Sequence, residues 1–172
     1  MTEDDLSAAR RRHPRGTRLR GTITGFPAGV GRAGMVVDLD DPVPGWVDML
    51  LLPDLPEFWP AVGRAGYFEV LQHRGDEIRL FPLDAGMRGS RCRQLRWSGP
   101  EWAAISRQWP VGSVLDAVVE SVYPGNREYS VRIGDWYELV EYENKPPVPG
   151  DTVQVSVERQ SEWTHSLVLR PL

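Results

Sequence analysis

The chain has 172 residues, 41% of them apolar and 26% charged, enough for one ordinary core or two small ones and too mixed for a collagen, a coiled coil or a disordered chain. Its formal charge of −4 argues against a protein whose whole surface is a nucleic-acid footprint, but the balance is uneven: −3 over residues 1–84, +4 over 85–97 and −5 over 98–172. Fifteen prolines and 17 glycines cut the chain into short segments, and the one cysteine, Cys92, excludes an intramolecular disulfide.

Residues 1–12 run from acidic to basic without the apolar centre of a secretory signal, and no apolar run reaches the roughly 18 residues of a membrane helix. The expectation is a cytoplasmic protein with no membrane partner. This first stretch reads as a short helix capped at Thr2 and stopped by Pro14, with six arginines from Arg10 to Arg20 and no acid among them. Apolar residues then recur with period two, which predicts strands over 19–23, 35–39, 46–49, 68–71 and 78–81. Between the first two, Gly29, Gly31 and Gly34 satisfy a GxGxxG pattern. A dinucleotide site needs a helix after that pattern, whereas Met35-Val36-Val37-Asp38-Leu39 alternates like a strand, so the segment is read as a hairpin loop.

A basic linker over 85–97 carries Arg88, Arg91, Arg93 and Arg96. Beyond it the sequence repeats itself. At an offset of 96, residues 2–19 align with 98–115, pairing Thr2 with Ser98, Leu6 with Trp102, Pro14 with Pro110, Gly16 with Gly112 and Leu19 with Leu115. With a shortened loop the match continues: Trp46 meets Trp136, Gly63 meets Gly150, and Phe68 and Val70 meet Val155 and Val157. Strand alternation returns at Leu115, Ala117 and Val119, at Tyr129, Val131 and Ile133, at Val153, Val155 and Val157, and at Trp163, Leu167 and Leu169. Arg74-Gly75-Asp76 and Gly125-Asn126 suit tight turns. The predicted organisation is helix plus barrel over 1–84, linker over 85–97, and helix plus barrel over 98–172.

Gly21-Thr22-Ile23, Gly34-Met35-Val36-Val37-Asp38-Leu39, Gly45-Trp46-Val47, Val62-Gly63 and Ile78-Arg79-Leu80 together resemble the S1-type RNA-binding domain of the OB-fold class, over residues 16–83. The second unit, with Ala117 where the first has Gly21, is a weaker relative. The resemblance implies a mainly β fold of two tandem five-stranded OB-fold (S1-like) barrels, each preceded by a short α-helix, and a ligand face bordered by the loop between the first two strands.

Candidate chemistry is sparse. His13, His73 and His165 have no Ser, Cys or carboxylate at catalytic spacing and are read as packed or edge histidines, and Cys92 between two arginines has no base. Asp38, Asp40, Asp41 and Asp48 lack calcium-loop spacing and are read as solvated turn acids. No enzyme, cofactor or metal is expected. Trp46, Trp102, Trp109 and Trp136 are assigned to packing. The expected function is non-catalytic binding of single-stranded RNA or DNA, by base stacking and phosphate neutralisation. Its candidate residues are Arg18, Arg20, Phe26, Arg32 and Arg79 on the first barrel, Arg91 and Arg93 in the linker, and Tyr123, Arg127 and Arg132 on the second. The alternative is a protein-interaction module whose acidic second barrel, with Glu138, Glu141 and Glu143 near Tyr137 and Tyr142, meets a basic protein partner.

Overall fold

The computed structural model describes residues 3–29, 32–89 and 97–172. The chain divides into two compact units, Met1–Arg93 and Gln94–Leu172. In the first, helix α1 (Glu3–Arg12) precedes β1 (Arg18–Gly25), β2 (Ala28–Gly29), β3 (Arg32–Asp38), β4 (Gly45–Asp48), β5 (Ala65–Arg74) and β6 (Glu77–Pro82). The order β1-β5-β6-β4-β3 closes through a β3–β1 pairing, with only β4 and β6 parallel, and the short β2 is added to β3. In the second unit, α2 (Gly99–Gln108) precedes β7 (Val114–Tyr123), β8 (Glu128–Ile133), β9 (Trp136–Glu141), β10 (Thr152–Ser161) and β11 (Ser166–Pro171). These form a closed barrel, again with one parallel pair, β9–β11. Two tandem five-stranded barrels of OB-like strand order therefore make up the fold.

The two-residue alternation sends one row of each strand into a core: Ile23, Met35, Val37, Val47, Phe68, Val70, Ile78 and Leu80 in barrel 1, and Leu115, Val119, Tyr129, Val131, Val140, Val155, Val157 and Leu167 in barrel 2. Small barrels close only if long strands bend, and the bends come at matching places. Bulges fall at Ile23/Gly25 and Val70/Gln72 in the first unit and at Val119/Ser121 and Val157/Arg159 in the second.

The duplication is visible at the level of single hydrogen bonds. Gly16 N–H donates to Val70 O at 2.8 Å and Gly112 N–H to Val157 O at 2.7 Å; Ile23 N–H donates to Arg64 O and Val119 N–H to Asp151 O; Gly63 N–H donates to Ile23 O and Gly150 N–H to Val119 O, both at 2.8 Å. Gly16 and Gly112 both have positive φ, as do Gly63 and Gly150, so glycine recurs where the backbone turns into the left-handed region.

Each helix is tied to the barrel end where its own unit's first strand begins. In α2 the Glu101 carboxylate accepts from Ser98 N and Oγ, which holds that carboxyl below its usual range and caps the first turn. Trp102 is buried against barrel 2, donates Nε1–H to Glu162 at 2.9 Å and stacks between Trp97 and His165; Trp136 meets Trp97 edge-on. His165 is packed, but from the β10–β11 turn at φ 49° rather than from a strand, and Trp163 also falls in that turn.

At α1 the expectation for Asp41 fails. Its carboxylate is 2% exposed rather than solvated, and it accepts from Arg12 Nε at 2.7 Å, His13 Nε2 at 3.1 Å and Val43 N at 3.0 Å. Burial opposes its ionisation, but the Val43 N–H, the Arg12 guanidinium and His13 outweigh that and hold the carboxyl below the usual aspartate range. His73, fully buried, donates to His13 O at 2.9 Å, so the loop after α1 is pinned from two sides. Among the described residues no helix is long and apolar enough to cross a membrane, and no group of three or more His, Cys, Asp or Glu is placed to hold a metal ion.

Candidate nucleic-acid interface

The outward row of β1 reads Arg18, Arg20, Thr22, Thr24, all exposed because their neighbours Gly21 and Ile23 point into the core. β5 lies antiparallel beside it in the register Arg18↔Glu69, Arg20↔Tyr67, Thr22↔Ala65. Arg20 thus sits directly across from Tyr67, a residue 58% exposed, and among the described residues Arg20 has no ion-pair partner. Arg18 is also exposed, its side chain 56% accessible, and it forms an ion pair through Nε with the buried Glu69 carboxylate at 4.0 Å. A ring face and two guanidinium groups therefore project from one small patch, as stacking of a base and contact with its flanking phosphates require. Tyr67 was not among the residues singled out from sequence. Its parity, opposite to buried Phe68, marks it as outward, but pairing it with Arg20 needs the strand register.

The other half of the outer face is built differently. Trp46 is 4% exposed, as assigned, yet it packs on the outside of the sheet and not in the barrel interior, since Gly45 and Val47 occupy the inward positions of β4. Its indole lies over Gly34, where a Cβ would come within 2.7 Å of the ring, and the Arg79 guanidinium stands 5.7 Å from the ring centroid. Arg79 Nε is 2.6 Å from Glu77, and Arg79 Nη1 is 3.7 Å from Asp48. Arg79 therefore stands over Trp46 with the Glu77 and Asp48 carboxylates beside its guanidinium.

Phe26 follows β1 and packs at 5.1 Å on Trp59, half-buried, so its ring supports the loops more than it offers a stacking face. Arg32 begins β3, its side chain lying outside the described residues, as do Arg91 and Arg93 entirely.

In the second barrel Tyr123 is exposed at the end of β7, while Arg127 is half-buried in the next turn at φ 52°. Arg132 is bound at 2.6 Å by Glu120, whose hydrogen bond and charge hold the guanidinium more firmly protonated. The row of β7 equivalent to Arg18-Arg20-Thr22-Thr24 reads Val114, Asp116, Val118, Glu120, and the position of Tyr67 is taken by Gln154, which donates to Asp116 at 3.1 Å. Registers agree pair for pair: Arg20↔Tyr67 in one barrel, Asp116↔Gln154 in the other. The duplicated face has reversed its charge.

No protein family and no curated protein matches the chain. Among solved structures it is similar to a multidomain protein with nucleic acid binding domains from Streptococcus pneumoniae TIGR4, at 18% identity and a TM-score of 0.32, covering 91% of this chain and 51% of that one. The chain thus spans about half the length of the streptococcal protein. It is also similar to the Ifi202 HINa domain solved in complex with 20bp dsDNA, at 9% identity and a TM-score of 0.29, covering 92% of this chain and 93% of that one. The tetrameric p202 HIN2 structure gives 8% identity and a TM-score of 0.28, covering 92% and 89%.

Proposed function

We propose that the chain is a non-catalytic, single-stranded nucleic-acid-binding protein that engages its ligand through the outer β1–β5 face of barrel 1. The observation that carries this reading is the charge reversal between equivalent faces: Arg18, Arg20 and Tyr67 against Val114, Asp116 and Gln154. An exposed ring beside two exposed guanidinium groups suits a splayed base and its phosphates, whereas Asp116 at the position of Arg20 repels them. The ligand we favour is RNA, in keeping with the S1 resemblance of residues 16–83. Barrel 2 then contributes by charge in the opposite sense, and its acidic row favours a basic protein partner over nucleic acid.

The test is fluorescence anisotropy of a labelled 12-nucleotide single-stranded RNA, and of the DNA of the same sequence, titrated with the full chain. If about four phosphates are neutralised, affinity falls roughly 50-fold between 50 and 200 mM salt. Replacing Arg18, Arg20 and Tyr67 together by alanine removes binding in the micromolar range, and Asp116→Ala leaves it intact or tightens it. Absence of binding at 50 mM salt, or binding indifferent to the triple replacement, overturns the reading.

A further inference from the structure

The connection from β4 to β5, residues 49–64, is six residues longer than its counterpart over 142–151 in barrel 2, which closes the same fold without the extra length. The insertion is firmly anchored. Leu51 and Leu52 are buried, Asp48 accepts from Leu50 N at 2.9 Å, Trp59 donates Nε1–H to Pro53 O at 2.8 Å and packs on Phe26, and Gly89 N–H donates to Leu51 O.

Yet the same segment holds large apolar groups out to water: Leu50 is 73% exposed, Phe58 64% and Leu55 50%, with Met49 and Val62 also exposed. Single exposed apolar side chains are ordinary, but several on one short, anchored loop mark an interaction site. Its charge leans acidic: within the insertion Asp54 and Glu57 lie among the apolar groups and the one cation is Arg64 at its far end, while Asp48 at its start is 3.7 Å from Arg79.

We infer that this insertion is a docking site for a protein segment that presents large apolar anchors flanked by Lys or Arg, seated against Leu50, Leu55 and Phe58 with its cations toward Asp54 and Glu57. The acids disfavour nucleic acid and anionic membrane here, and the preformed loop spares the ordering that a flexible one would require on binding. The surface is distinct from the Arg18–Arg20–Tyr67 face, so the two stand or fall separately.

The test is selection of a random 16-residue peptide display library on the immobilised full chain, with counter-selection on Leu50→Ser/Phe58→Ser. Both replaced residues are exposed, and an unchanged melting temperature verifies the fold. Enriched peptides carry net positive charge and at least two large apolar residues, and the best of them, made synthetically, binds the double variant about 30-fold or more weaker, as loss of a hot spot predicts. Asp54→Lys/Glu57→Lys weakens the same peptide and removes the salt dependence of its affinity. Failure to enrich above the counter-selected variant, enrichment of acidic or uncharged peptides, or concentration-dependent self-association abolished by Leu50→Ser/Phe58→Ser overturns the inference.

Discussion

Gly34→Ala tests the outer-face packing of barrel 1. A Cβ at this position would overlap the carbonyl oxygen of Val47 on the neighbouring strand and lie 2.7 Å from the Trp46 indole. The carbonyl belongs to the β3–β4 ladder, in the register Met35↔Val47, and the ring is held from the far side by Arg79, so neither can yield cheaply. Overpacking of this kind costs about 1–3 kcal/mol, and at roughly 4–8 °C per kcal/mol for a unit of this size the upper half of that range lowers the melting temperature of barrel 1 by about 10–20 °C. Gly25→Ala is the control, because a Cβ there meets nothing within 4 Å. Thermal unfolding followed by circular dichroism and by tryptophan emission reads both variants. The Gly34 variant unfolds early with red-shifted emission as Trp46 is displaced, while the Gly25 variant stays within a few degrees of the parent. If the two variants melt together, Trp46 does not lie over Gly34 and the description of this face is wrong.

Two further outcomes follow from named contacts. Because the Asp41 carboxyl is held below its usual range, its bonds contribute stability above about pH 4 and lose it as pH falls through the lowered value. Asp41→Asn is therefore about 1–3 kcal/mol less stable at pH 7 by urea denaturation, and the difference shrinks toward pH 2; a constant difference contradicts the ion-pair account. Asp116→Arg/Gln154→Tyr, made in the binding-deficient Arg18/Arg20/Tyr67 triple alanine background, rebuilds the basic row on barrel 2 at the same register. It recovers measurable oligonucleotide affinity with a salt slope steeper by about 0.7 per new phosphate contact, and a null result shows that the row alone does not make a site.

Much of this architecture could be read before any coordinates. Glycines at 16, 63, 112 and 150 stand where the backbone takes positive φ, and such positions announce themselves because few other residues adopt that conformation. The alternation at 115–119 and 129–133 likewise reflects a simple inside–outside rule. What stayed hidden depends on neighbours distant in sequence. Arg79 looks like a free cation until Glu77 and Asp48 are seen on the same face, and Arg132 until Glu120 is seen across the ladder. Asp41 reads as a turn acid because nothing local shows that Arg12 and His13 fold back onto it. Trp46 reads as a packing residue because it recurs at Trp136, whereas its parity with Asp48, opposite to buried Val47, already places it outside the barrel. Tyr67 becomes interesting only once β5 is known to run beside β1 with that ring opposite Arg20.

Backbone amide mapping by NMR puts the ligand face under the most direct scrutiny. With a 12-nucleotide single-stranded RNA added in steps to the isotope-labelled full chain, the shifts are expected to concentrate on Arg18, Arg20, Thr22 and Tyr67, with Asp116, Val118 and Gln154 unmoved. Perturbation centred on β7 and β10, or spread evenly over both barrels, contradicts the assignment of the site to the basic copy of the duplicated face.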